Sequence, residues 1–134
     1  MEENDFNKTI ARLCTVNRRY APEAYHLLHL GLLRTLKNIT EQGDGLRHVT
    51  GAELSEGFRD VALEHFGPLA FTVLKRWGIH TTRDLGEMVY ILIAARLFGK
   101  TDDDKIEDFD DVYDFDAAFR APFRPTRSET TAKK

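Results

Sequence analysis

Apolar residues recur at helical spacing along most of this chain, most densely between His48 and Gly99, where the pattern predicts three consecutive helices. Thr50 and Glu53 stand at capping-box spacing, so hydroxyl and carboxylate can each satisfy a free backbone donor. Leu54, Phe58, Val61, Ala62, His65 and Phe66 then share one face, and Gly67 ends the helix. Pro68 suits the first turn of a second helix, Leu69 to Trp77, which is apolar on most of its circumference and stops at Gly78. The third helix starts at Thr82 or Arg83 and is expected to reach Phe98. It carries Leu85, Met88, Val89, Leu92, Ile93 and Leu97 on one side and Ile91, Ala94 and Ala95 partly on the other. Burial nearly all round follows for it, with Leu92 and Ile93 almost fully covered.

Two shorter patterns precede this stretch. Phe6, Ile10, Leu13 and Cys14 predict an amphipathic helix from Asp5 to about Val16. Pro22 and Glu23 then suit the first turn of a helix running to about Thr40, with Tyr25, Leu28, Leu32, Leu33, Leu36 and Ile39 as its stripe and Gly43, Asp44 and Gly45 as a loop after it. Beyond Gly99 the pattern changes. Acids alternate with Ile106, Phe109, Val112, Tyr113, Phe115, Phe119 and Phe123, and so many aromatics argue for a strap lying over the helical body, its carboxylates facing water. The expected architecture is all-α, a compact bundle of about five helices forming one domain over residues 1–124. Residues 102–124 are the acidic docking strap and 125–134 a flexible tail.

Charge sharpens the division. The net charge of -3 conceals nine acids against one lysine in residues 102–116, followed by five basic residues against one glutamate in residues 117–134. A globally basic nucleic-acid binder is not indicated. The chain shows neither a long apolar span nor the basic, apolar start of a secretory signal, and its single cysteine, Cys14, sits on an apolar helix side. A cytoplasmic protein without membrane contact, with Cys14 as a buried small hydrophobe, is expected.

The phrases RYAPEAYHLL, HVTGAELSEGFRDVALEHFGPLAFTVLKRWGIH, DLGEMVY, GKTDDD, EDF and YDFDAAFRAPF occur in this order over about residues 18–123. They resemble an uncharacterised bacterial family described as restricted to Verrucomicrobia and Planctomycetes. The resemblance implies a bacterial helical domain and brings no activity, cofactor or site residue with it.

The sharpest candidate chemistry lies at the turn Leu74 to Leu85, which resembles the helix-hairpin-helix corners that grip DNA backbone, with Lys75, Arg76, Gly78, His80 and Arg83 as the contacts. Such hairpins use a second glycine two positions after the first. Here that position is His80, and Asp84 and Glu87 place negative charge where a phosphate would sit. Glu23, His26 and His29 stand at three-residue steps that could present a metal face, but no second Glu-x-x-His completes such a site. The acidic run lacks the glycine turn and terminal glutamate of an EF-hand loop. With no nucleophile elbow, phosphate loop or Cys-His signature, no catalytic residue, cofactor or metal is assigned. The sequence reading is a non-catalytic protein-interaction or assembly module, with a protein partner or a homodimer expected. DNA-backbone binding is the alternative.

Overall fold

The Thr50 hydroxyl accepts the Glu53 amide at 3.1 Å while the Glu53 carboxylate accepts the Thr50 amide at 3.0 Å, and this reciprocal cap fixes a helix start at Gly51. In the computed structural model, which describes residues 3–43 and 48–123, that helix is α3, Gly51–Phe66. Before it come α1, Glu3–Val16, and α2, Pro22–Glu41; after it come α4, Ala70–Arg76, α5, Thr82–Ala94, and the short α6, Phe115–Phe119. Single 3-10 turns occupy Gly67–Leu69, Ile106–Phe109 and Ala121–Phe123. No strand occurs among the described residues, and none of the helices there is long and apolar enough to cross a membrane. The chain is an all-α bundle with a docked C-terminal segment.

α2 and α3 approach most closely where neither carries a side chain. A Cβ on Gly31 would lie 2.9 Å from the Phe58 Cα, and one on Gly57 would lie 2.8 Å from the Gly31 carbonyl oxygen. Small residues therefore set the crossing. This contact rotates α2 relative to the expected stripe: Ala24, Leu27, Gly31 and Thr35 are buried, Leu32 and Leu36 are only half-buried, and Leu33 is 50% exposed. On α3, His65 is likewise exposed, while Ser55 and Gly57 take the inner face. Arg34 spans the outside of the pair with two hydrogen bonds of 2.6 Å to Glu64, whose carboxyl this contact holds below its ordinary range.

Two helix ends correct the expected boundaries. The second central helix is split, Pro68 lying in a 3-10 turn before α4 begins at Ala70. At its end Gly78, with φ of 95°, donates to the Lys75 carbonyl while Ile79 donates to that of Leu74, the two bonds of a Schellman cap. α5 stops at Ala94 rather than Phe98 by the same device. Arg96 donates to Ile93, Leu97 donates to Leu92, and Arg96 takes the left-handed conformation at φ 64°. Burial is correspondingly less complete than expected: Leu92 is fully buried, but Ile91 and Ile93 are half-buried and Ala94 is exposed.

The core unites Phe6 and Ile10 of α1, Tyr25 and Leu28 of α2, Phe58 of α3, Leu74 of α4 and Leu85, Met88 and Leu92 of α5 with the strap's Phe109, Phe115 and Phe119. Phe109 seats against Gly86, where a Cβ would come within 2.9 Å of its ring, and a Cβ on Gly51 would lie 3.1 Å from Asp108. Phe115 and Phe119 meet edge to face at 4.9 Å, and the Tyr113 hydroxyl donates to the Ser55 carbonyl at 2.7 Å. Arg83 holds Asp110 at 2.9 Å, and Asp114 caps α6 by accepting the Ala117 amide. The strap is thus anchored by aromatics with most of its acids outward. Phe123 is a correction to the expected anchors, being 44% exposed, and Cys14 is half-buried. The expected flexible tail, 125–134, and the loop residues Asp44 and Gly45 lie outside the described residues.

Candidate functional site

The turn between α4 and α5 is organised by one carboxylate. Asp84 lies in the first turn of α5 and is 5% exposed. Its Oδ2 accepts the amides of His80 at 2.8 Å and Thr81 at 3.2 Å, and its Oδ1 accepts the Tyr20 hydroxyl at 2.7 Å and Arg19 Nη2 at 2.9 Å. The Thr81 hydroxyl completes the cap by accepting the Asp84 amide. Gly78 presses its α-carbon against the backbone of Arg19, where a Cβ would lie within 3.4 Å of the carbonyl carbon, and Ala21 donates to the Trp77 carbonyl at 3.1 Å. The turn therefore packs onto the junction between α1 and α2. Burial, then the bond to Asp84, pushes the Tyr20 phenol well above its ordinary pKa.

Of the residues singled out at this corner, Lys75, Arg76 and His80 are exposed, whereas Arg83 is bonded to Asp110 and pairs with Glu87 at 3.5 Å. The His80 and Thr81 amides, which a phosphate at this hairpin would use, are occupied by the protein's own anion. Two other candidates separate in the same way. His26 and His29 pack on the ring of Phe6, with centroids at 5.5 and 4.6 Å, while Glu23 is exposed. Among the described residues no group of three or more His, Cys, Asp or Glu could hold a metal ion.

A second feature, without direct sign in the sequence, is a cleft of about 450 Å³ between α2, the start of α3, the end of α5 and the beginning of the strap. Its apolar walls come from Leu32 and Leu36 of α2, Leu54 of α3, Val89 and Ile93 of α5, and Leu97 and Phe98. Those last two line it because the Arg96 cap turns the chain after Ala94. The surplus of apolar positions on a second side of α5 was the available signal. It did not say whether protein would cover them.

The polar edge of the cleft includes His48, Tyr90, Lys100, Asp104, Lys105 and Asp108. His48 Nε2 lies 2.7 Å from Asp104, which also accepts the Thr101 amide at 2.7 Å. Burial alone would raise the Asp104 carboxyl, but these bonds outweigh it and hold the pKa below the ordinary range. Tyr90 moves the opposite way, raised by burial and then by Asp104, Asp108 and Glu107; its hydroxyl oxygen is buried without a hydrogen-bond partner among the described residues. The Thr50 hydroxyl is engaged as the cap of α3. This arrangement can bury an apolar body and select among the charges that accompany it.

Comparison of the chain with family models, with curated proteins and with solved structures finds no match.

Proposed function

We propose that this chain is a non-catalytic helical interaction or assembly module that receives an apolar segment of a partner protein in the cleft between α2, α5 and the strap. The cleft itself carries the reading: seven of its twenty lining residues are aliphatic and two more are phenylalanines, it has the volume of an anchor pocket, and it lies on the helix that also exposes Leu33. DNA-backbone binding through Lys75, Arg76, Gly78, His80 and Arg83 is less well supported, since the nearby amides serve Asp84 and Arg83 serves Asp110. A bacterial setting belongs to the same proposal, with the sequence resemblance as its support, and so does a cytoplasmic one, which the single cysteine, Cys14, suits.

Tagged protein in native host lysate should retain the same partner with and without nuclease and at raised salt, because apolar contact persists where phosphate contact weakens steeply. Ile93→Gln with Leu97→Gln should release that partner. Loss of the captured material on nuclease treatment would turn the reading to DNA. So would submicromolar duplex binding that disappears in the Lys75→Glu, Arg76→Glu double variant.

A further inference from the structure

The charge around the cleft narrows the partner, an inference that rests on the interaction reading above. Between Lys100 and Asp111 the chain carries seven carboxylates and two lysines. Several of the carboxylates have internal work: Asp104 holds His48 and the Thr101 amide, Asp108 accepts the Lys105 amide, and Asp110 holds Arg83. Asp102, Asp103 and Glu107 do not. They flank the cleft-lining Asp104 and Asp108, are exposed, and make no ion pair among the described residues. Lys100 and Lys105 line the same edge and balance the lining Asp104 and Asp108, so the acidic excess there comes from the flanking Asp102, Asp103 and Glu107.

We infer that the cleft takes the apolar face of a basic amphipathic helix belonging to another protein. Leucine-like side chains would seat on Leu32, Leu36, Ile93 and Leu97, while lysines or arginines on the helix flanks would be drawn by Asp102, Asp103 and Glu107, which are exposed beside the cleft-lining residues. The two parts do different jobs. Apolar burial supplies most of the affinity, whereas the exposed carboxylates add a smaller, salt-sensitive share, raise the association rate and reject acidic competitors. An acidic helix with the same apolar face would bring like charge to this rim and be disfavoured.

The test uses two synthetic helices of roughly four turns with the same leucine face, one carrying lysines and the other glutamates on the polar face. Each is labelled and titrated into the full chain by fluorescence anisotropy. The lysine helix is expected to bind at least about tenfold more tightly, a margin that shrinks as salt screens the rim. Asp102→Asn, Asp103→Asn and Glu107→Gln together should erase the preference but leave the apolar affinity; Ile93→Gln with Leu97→Gln should abolish both.

Equal binding, preference for the glutamate helix or no binding of either would overturn the inference. It would also fall if lysine-helix binding survived the cleft substitutions, or if sedimentation showed a dimer that those substitutions dissolve. The triple substitution, made at exposed positions, keeps the test decisive should the cleft pair unfold the chain. If neither helix binds yet a lysate partner is still captured through the cleft, the basic-helix inference falls and the interaction reading stands. If the cleft variants fold and lysate capture is unchanged, the interaction reading itself falls.

Discussion

At the start of α5, Asp84 gathers two amides, a phenol and a guanidinium within 3.2 Å, whereas at its end Ile93, Leu97 and Phe98 line an open cleft of about 450 Å³. One helix thus has a closed end and an open one. The closed end shows how a corner that looks made for an anion can be completed from within, so that its donors fix chain geometry and are not offered to a ligand. The open end shows the converse. Its apolar surface adds less to stability because water still reaches it, and that same surface is what a partner could cover.

The widest break in this comparison comes from removing the strap, which supplies one wall of the cleft and also covers α5. Truncation before Ile106 should lower the melting temperature by about 10 °C and raise binding of an apolar dye, since Phe109, Phe115 and Phe119 leave the core together. Truncation after Pro125 should do neither. Equal melting temperatures for the two shortened proteins would show that the strap is a free arm and the cleft wall incidental.

Asp84→Ala addresses the closed end alone. It leaves a buried phenol hydroxyl and two amides without their acceptor, and a loss of about 3 kcal/mol in urea denaturation is expected. Arg19 adds little to this, because its side chain is 61% exposed. Under conditions where the variant remains folded, cleft binding should be unchanged. A cost below about 0.5 kcal/mol would mean that water replaces the carboxylate.

The elements legible in the sequence were those announced by local chemistry. Thr50 with Glu53, Pro22 with Glu23, and Gly78 each state a helix boundary through the few residues around them, and the structure uses all three. The aromatics of the acidic run likewise announced a docked segment. What escaped depended on partners distant in the chain. Arg96 takes a position usually filled by glycine, so the end of α5 carried no local mark. The rotation of α2 required Gly31 to meet Gly57, and no periodicity within α2 contains that fact. The cleft is a product of both, which explains why an apolar surplus was visible but its shape was not.

The smallest expected effect separates two neighbouring phenols. Tyr20 and Tyr25 meet edge to face at 6.3 Å and both are fully covered, yet Tyr20 donates to Asp84 at 2.7 Å while the Tyr25 hydroxyl has no partner among the described residues. Burial raises both groups. Tyr25 is pushed up to about 12, with Cys14 adding to the burial, and Tyr20 is raised further by its carboxylate neighbour. Tyr20→Phe should therefore cost about 1 to 2 kcal/mol, because it removes a hydrogen bond to a charged acceptor and leaves that acceptor short. Tyr25→Phe removes only a desolvated hydroxyl, so stability at neutral pH should stay level or rise by up to about 1 kcal/mol. The pH dependence follows from the same shift. An unfolded phenol ionises near pH 10, below the folded value, so the protonated ring's contribution is complete below about pH 10 and is lost as pH climbs through the folded pKa. For Tyr25 that window runs from about 10 to about 12, and its replacement by Phe should flatten part of the alkaline decline. Urea melts at neutral pH and near pH 11 provide the comparison. A neutral-pH loss above about 1 kcal/mol in Tyr25→Phe would mean that the hydroxyl has a hydrogen-bonded partner such as a buried water, and that this part of the core is closed in the manner of Asp84.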